Sequence, residues 1–422
     1  MINNIKDVII NNVVNGVINK AFDSSVKIVK TSNGDNKFNH LKENASYLLY
    51  IHIPFCDNLC PFCTFHKYKY DEKKAIKYFE DLRKEIYILK NYNIKVDSIY
   101  IGGGSPLIHE TEIIETLKLL KRVFKVDDIS CETDPNHIEP QTIKKLKGLV
   151  KRLSIGIQSF DNKILKELSR FDRFGDKDTL ISKIKKIQGI LPITNLDLIF
   201  NLPNQTEESL KNDITIAKEL RVEQITTYPL MSSDLNSKFI SRFESNKNKE
   251  NFYNIICEML QEYHMNNMWS FSKESVEKLN DEYVSTYNEY IGLGSGGFSY
   301  LDGNLFVNSY DLDNYGNLLD LKNDSIIAKS TFNKKDIIQY YFLCTLFSGS
   351  FDIKKYYEKF NINLERHLRR ELFLLKKLDF IYIEDEVIYL TKKGKYALIV
   401  VMANFYSKMD KVRAIFKNRV IV

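Results

Sequence analysis

The sequence predicts an α/β fold: six strand–helix units forming a parallel sheet, flat or curled into a partial barrel, then a helical C-terminal module. Three observations carry this expectation. Six short apolar runs alternate with helical-period segments between residues 47 and 230. Chemistry-bearing motifs fall where those runs end, as parallel sheets with right-handed crossovers require. Beyond about residue 330 the pattern becomes helix, helix, hairpin and helix.

In chain order, YLLYIHI (47–53) is predicted as a strand and AIKYFEDLRKEIYILKN (75–91) as a helix. DSIYIGG (97–103) is a strand ending in glycines, 109–124 has helical spacing, and DISCET (128–133) is a strand. QTIKKLKGL (141–149) reads as helix and KRLSIGIQS (151–159) as strand. Helical stretches cover 161–169 and 176–190, TNLDLIF (194–200) is a strand, 206–220 is helical, and EQITTY (223–228) is the sixth strand. The segment 235–310 is mixed, with one helix expected at about 247–266, the only tryptophan, Trp269, and the glycine-rich YIGLGSGGFSY (290–300). DIIQYYFLCTLF and LERHLRRELFLLKKL then read as helices, FIYIEDEVIYLT as a hairpin and KKGKYALIVVMANFY as a last helix. That order resembles a winged-helix module. It carries no basic recognition stripe, so a lid or docking role is expected rather than DNA binding. The expected domains are an N-terminal extension (1–45), a core (46–300) and a helical, winged-helix-like domain (301–422).

Composition bounds the function class. Of 422 residues, 44% are hydrophobic and 27% charged, as in ordinary globular proteins. A net charge of +6, with lysine and glutamate interspersed, gives no nucleic-acid surface. The start of the chain lacks the uninterrupted apolar core of a signal peptide, and VVNGVINKAF (13–22) fits an amphipathic helix. No apolar run reaches the length of a membrane span. The expected compartment is the cytoplasm.

The feature richest in chemistry is IHIPFCDNLCPFC, where Cys56, Cys60 and Cys63 form a CxxxCxxC triplet. Three thiolates this close hold three irons of a [4Fe–4S] cube and leave the fourth iron open to a ligand. A structural zinc site wants four ligands, usually in two pairs, and Cys131, Cys257 and Cys344 form no second pair. Nothing marks secretion, which argues against disulfides. The polar motifs then line up on one rim. Gly102, Gly103, Gly104 and Ser105 follow the second strand, Glu132 ends the third, Gln158 the fourth, Asp197 sits in the fifth and Tyr228 ends the sixth. Glycines let a backbone approach a ligand closely. Glu132 is an acceptor for amine or hydroxyl groups, or else a surface carboxylate. Asp197 is flanked by apolar residues and calls for a partner; Arg170 is a candidate, or else clamps a carboxylate.

IHIPFC, GGGSP, ETDP, KRLSIGIQSF and NLDLIFNLPNQT stand in the order and spacing of the oxygen-independent coproporphyrinogen III oxidase-like family of radical S-adenosylmethionine (SAM) enzymes, which this chain resembles from about Tyr50 to Thr206 and more loosely beyond. The resemblance implies a partial parallel (β/α)6 barrel, a [4Fe–4S] cluster on Cys56, Cys60 and Cys63, and SAM chelating the open iron. It implies that Tyr50, Gly103 and Glu132 contact that SAM. Phe62, Gly104, Ser105, Gln158, Arg170 and Asp197 match positions that hold a second SAM, with Arg170 and Asp197 as candidate catalytic residues. The implied partners are a tetrapyrrole or related substrate and an electron donor such as flavodoxin or ferredoxin.

The chain departs from the oxidase pattern at Phe65, where the oxidase has another cysteine; related haem chaperones share this CxF. Those chaperones carry a His-Asn-rich motif where this chain reads VSTYNEYIGLGSGG, and NLP (201–203) replaces the usual GLP. DEYVSTYNEYIGLGSGGFSYLDG and YALIVVMANFYSKMDKVR resemble the haem-utilisation branch, which includes methyltransferases that open the haem ring. Three readings therefore stand: an enzyme acting on a tetrapyrrole, a haem chaperone, and a radical SAM methyltransferase of another natural product. His40, His66, His109, His264 and His367 are scattered without pairing, and each reads as a surface or hydrogen-bonded histidine rather than an axial haem ligand; His66, just after the cysteines, is the first to test by mutation.

Overall fold

The computed structural model of the chain describes residues 28–32, 34–243, 249–274 and 289–417. The helix expected at 13–22 and most of VSTYNEY lie outside the described residues. The described residues form a 13-stranded sheet, a separate three-stranded sheet and flanking helices.

The large sheet contains β1 (Val29–Lys30), β2 (Ser46–Ile53), β3 (Lys95–Gly103), β4 (Ile129–Thr133), β5 (Arg152–Gln158), β6 (Ile193–Phe200) and β7 (Gln224–Pro229). It continues with β8 (His264–Asn267), β9 (Ser270–Ser272), β10 (Tyr290–Leu293), β11 (Phe298–Leu301), β12 (Asn304–Asn308) and β13 (Ile326–Thr331). The spatial order is β1-β13-β12-β11-β10-β2-β3-β4-β5-β6-β7-β9-β8. The six expected strands, β2 to β7, are neighbours in chain order and all parallel. Strand β10 adds a seventh parallel strand beside β2. Antiparallel strands then extend both edges.

Side-chain alternation explains how this sheet is used. Ile99, Ile101, Ile129, Cys131, Leu153, Ile155, Leu196 and Leu198 join one large core with residues of the surrounding helices. The intervening residues are polar: Ser98 and Tyr100, Ser130 and Glu132, Arg152 and Ser154, Asn195 and Asp197, Gln224 and Thr226. Register places Tyr100 beside Ser130, Glu132 beside Ser154, Ser154 beside Asn195, and Asp197 beside Thr226. Successive strand residues face opposite sides, so one face is apolar and helix-covered and the other polar. Residues of the polar face from β2, β3, β4, β5, β6 and β7 line a single cavity. The sheet therefore curls around it as a partial barrel.

The crossover helices follow their sequence signals. Helix α1 (Glu72–Lys90) starts at Asp71, whose side chain accepts from the Lys74 N–H, and buries Ala75, Tyr78, Phe79, Leu82, Ile86 and Leu89 on one face. Helices α2 (Glu110–Phe124), α3 (Pro140–Lys145), α4 (Asn162–Glu167), α5 (Phe171–Phe174), α6 (Lys177–Ile187) and α7 (Glu207–Glu219) complete the units.

The helix expected at about 247–266 is shorter. Helix α8 (Lys249–Met259) stops before the polar stretch, and His264–Asn267 becomes β8. It turns through Met268 and Trp269 into β9, which pairs with the otherwise open edge of β7. The glycine-rich stretch is also strand: β10 and β11 lie either side of the GSGG turn. The described residues before 45 are joined to the core, since Lys37 and Phe38 are buried and β1 pairs with β13.

Helix α9 (Leu312–Lys322) precedes β13, and the C-terminal part follows: α10 (Lys334–Phe347), β14 (Ser350–Asp352), α11 (Ile353–Phe360), α12 (Leu364–His367), α13 (Arg369–Lys377), the hairpin β15 (Ile381–Glu384) and β16 (Val387–Leu390), and α14 (Lys392–Lys417). The single helix expected at 364–378 is split at Leu368. The boundary expected at residue 300 falls inside the large sheet, and we propose placing it after Thr331, where the sheet ends. Among the described residues no helix is long and apolar enough to cross a membrane.

Candidate active site

All three triplet cysteines and all nine other candidate residues line one cavity at the C-terminal rim of the sheet: Tyr50, Phe62, Gly103, Gly104, Ser105, Glu132, Gln158, Arg170 and Asp197. The cysteine loop leaves β2 through Pro54. Its start is fixed where Phe55–Cys56 pairs with Tyr68–Lys69, and Tyr70 N–H donates to the Cys56 carbonyl at 2.8 Å. Asn236 holds its far side, donating to the Phe62 carbonyl at 2.8 Å.

GGGSP packs against this loop. Gly104 N–H donates to the Ile53 carbonyl (2.8 Å) and Ser105 N–H to the Phe55 carbonyl (2.7 Å). A Cβ at Gly104 would collide with the Phe55 carbonyl oxygen. Gly103, at φ +112, gives its N–H to Glu132 Oε2 (3.0 Å). The N–H groups of residues 103–105 are thus all spent on the protein. The glycines therefore serve close approach.

The thiols differ in environment. Burial, reinforced by the neighbouring Cys63, pushes Cys56 up to about 12. Burial also opposes ionisation of Cys60, yet Arg170, Arg173 and Lys67 overcome it and hold that thiol below its usual range. Arg170 Nη1 lies 3.8 Å and Arg173 Nη1 3.3 Å from Cys60 Sγ. Both guanidiniums stack on Phe174, at 4.3 and 4.7 Å from its ring centroid. Three thiols on one cavity, one of them facing cations, fit an iron–sulfur cluster.

Opposite the cysteines lie two carboxyl groups. Glu132 accepts from Tyr100 OH (2.7 Å) as well as Gly103, and burial raises its pKa. Asp197 accepts from Ser154 Oγ and Asn195 Nδ2, each at 2.8 Å, and burial pushes it up to about 7 against the pull of Arg152. Arg170 is therefore not the hydrogen-bond partner of Asp197, as one sequence reading had it; its other nitrogen donates to the Gly156 carbonyl. The cation facing Asp197 is Arg152, whose Nε donates to Gln224 Oε1 at 2.5 Å on the barrel floor. Gln158 sits at φ +74 beside a bulge in the pairing of β5 and β6. Strain of this kind gathers at functional sites.

Several residues in or beneath the cavity escaped the sequence reading. Arg173 lies on the same helical turn as Arg170, and Arg152 on the polar face of β5. Period-two polarity within the apolar strands was the available signal for Arg152. Trp269 and, from α14, Tyr406 close the far wall, with ring centroids 5.9 Å apart. Asp134 also lines the cavity; burial opposes its charge, but His137, Ser105 and Asn136 N–H bring it to about 2.

None of the seven histidines, all described, lines the cavity. His66 is buried, with Nε2 at 3.2 Å from Ser295 Oγ and its ring edge-on to Tyr68 and Tyr310. His52 bridges Tyr50 OH and the His66 carbonyl at 2.8 Å each. His66 is thus hydrogen-bonded within the protein, the reading its sequence context favoured over axial ligation.

Comparison with known proteins agrees with this geometry. The model of the radical SAM superfamily matches residues 50–216. The heme chaperone HemW of Bacillus subtilis is 26% identical over 82% of this chain and 95% of its own length. The oxygen-independent coproporphyrinogen III oxidase of Helicobacter pylori is 28% identical over 80% of this chain and 81% of its own. The solved coproporphyrinogen III oxidase of Escherichia coli shares the fold, with a TM-score of 0.74 at 21% identity over 89% of this chain and 94% of that one. Radical SAM proteins use a [4Fe–4S] cluster and SAM, which the cysteine cavity accommodates. Residues 50–216 thus match the radical SAM superfamily, and most of the chain is similar both to oxygen-independent coproporphyrinogen III oxidases and to haem chaperones.

Proposed function

We propose that this protein is an enzyme that cleaves SAM and acts on a tetrapyrrole. The observation that carries this reading is the convergence of Cys56, Cys60 and Cys63 with Glu132, Gln158, Arg170 and Asp197 on one cavity that no histidine enters. When bound on Cys56, Cys60 and Cys63, a cluster would supply the one electron that splits SAM into methionine and a 5′-deoxyadenosyl radical. Glu132 offers free lone pairs to an amine or ribose hydroxyls, and Tyr50 flanks it on the same cavity. Gln158, Arg170 and Asp197 form a second polar cluster that can take another SAM or a substrate carboxylate. A two-SAM site serves oxidative decarboxylation or radical methyl transfer, including haem-ring opening. Tyr228, Trp269, Tyr406, Phe62 and Phe65 give the cavity aromatic walls suited to a flat macrocycle. Lys67 adds positive charge for its carboxylates. The electron donor is proposed to be a flavodoxin or ferredoxin.

The test is 5′-deoxyadenosine formation under strict anaerobiosis, with reconstituted protein, SAM, a strong reductant, and haem, coproporphyrinogen III or no addition. Stimulation by one tetrapyrrole, abolished by Cys60→Ala, is expected. Haem transfer to a partner without SAM consumption would instead establish the chaperone reading, which Phe65 and the HemW relatives favour. Turnover only with a non-porphyrin substrate would sink the tetrapyrrole assignment.

A further inference from the structure

We propose that Arg173 tunes the iron–sulfur centre, its guanidinium donating to the Cys60 sulfur and to the cysteine loop so that the reduced form is favoured. Nη1 lies 3.3 Å from Cys60 Sγ and Nη2 3.3 Å from the Asn58 carbonyl oxygen. One planar group thus spans the loop backbone and a cluster ligand, a fork that lysine cannot reproduce. The side chain is held in place. It stacks on buried Phe174, and its backbone belongs to a single helical turn that ends at Gly175, φ +99. No ion pair among the described residues engages Arg173, so its charge is left for the sulfur. Arg170 is less available, since it also donates to the Gly156 carbonyl and stands 3.8 Å from the same sulfur.

Reduction adds one electron to the centre. A cation and N–H donors on a ligating sulfur stabilise the more negative state, and hydrogen bonds to the sulfurs are a main determinant of cluster potential. The effect is enlarged because Cys60 is half-buried. Arg173 would therefore bring the centre within reach of its electron donor, whatever the substrate. This inference rests on the cluster reading alone and not on the tetrapyrrole assignment.

The experiment is an anaerobic redox titration followed by electron paramagnetic resonance on reconstituted wild type, Arg173→Gln and Arg173→Lys. Iron and sulfide content and circular dichroism are measured on each. With equal cluster content, Arg173→Gln is expected to lower the equilibrium constant for one-electron reduction about tenfold, a shift of about 59 mV to more negative potential. Arg173→Lys, which keeps the charge and loses the fork, is expected to fall between. A fully loaded Arg173→Gln at the wild-type potential would overturn the proposal. If that variant holds no cluster, Arg173→Lys decides, and wild-type potential there would overturn it equally. Absence of any cluster in the wild type would overturn the cluster reading and this inference together.

Discussion

Replacing Lys37 with methionine removes one charge from the interior and keeps an unbranched side chain of similar length. Lys37 is fully buried, and its Nζ donates to Glu85 Oε1 (2.8 Å), Asn308 Oδ1 (2.8 Å) and the Gly292 carbonyl (3.0 Å), with Asp324 Oδ1 at 3.7 Å. Glu85 in turn receives Gly294 N–H and Tyr315 OH, each at 2.7 Å, and Ser325 Oγ at 2.8 Å. This cluster ties helix α1 to the GLGSGG turn and to the segment before β2, which gives the glycine-rich motif a structural role. Methionine would leave two buried carboxylates without their cation, a change that costs about 3–5 kcal/mol. A chain this long, unfolding as one unit at about 2.1 cal/mol/K per residue, has an unfolding entropy of about 0.9 kcal/mol/K. The melting temperature should therefore fall by about 3–6 °C. Differential scanning calorimetry on reduced apo-protein reads this directly. Adding Glu85→Gln should recover part of the loss, because one orphaned carboxylate becomes neutral. A Lys37→Met melting point within about 1 °C of wild type would refute the reasoning.

Three further outcomes are expected. Gly104→Ala should cost about 2–4 kcal/mol and lower iron bound per chain on reconstitution, because its Cβ meets the Phe55 carbonyl and unseats the cysteine loop. Asp213, which accepts from Phe160 N–H (2.7 Å) and Ser159 Oγ (2.8 Å) behind the loop of Gln158, is pushed up to about 7 by burial. Between about pH 4 and 7 the folded state then holds a proton the unfolded chain has released, so stability falls as pH rises, by at most about 4 kcal/mol. Asp213→Asn keeps an acceptor for Phe160, so its melting temperature should gain on wild type from about pH 5 to pH 8. A gap that does not change with pH would refute the assignment of that proton. Asp197→Asn should leave the melting temperature nearly unchanged while lowering tetrapyrrole-dependent 5′-deoxyadenosine formation about tenfold, the worth of roughly one charge-assisted hydrogen bond. Unaltered turnover would remove Asp197 from the site.

The cysteine triplet was legible because its chemistry depends on spacing along the chain, and covalent connectivity fixes that spacing. The same holds for β2 to β7 and their helices, where apolar periodicity is local and long enough to read. The rim placement of Gly103, Glu132, Gln158 and Asp197 followed from strand direction alone. Strands β8 to β13 were not legible. They are short, and what makes them strands is an open sheet edge supplied by β7 or β2, which no local window contains. Partner choice was equally hidden. Asp197 looked to Arg170 in the sequence, but curl and register of the sheet put Arg152 opposite it and turned Arg170 toward Cys60. Arg173 reaches a sulfur 113 residues earlier, and Trp269 and Tyr406 close the cavity from distant elements. Which groups are present, and which local segments carry them, is written in the order of residues along the chain. Which of them meet is set by long-range register and packing, where a one-residue slip would send every side chain to the other face.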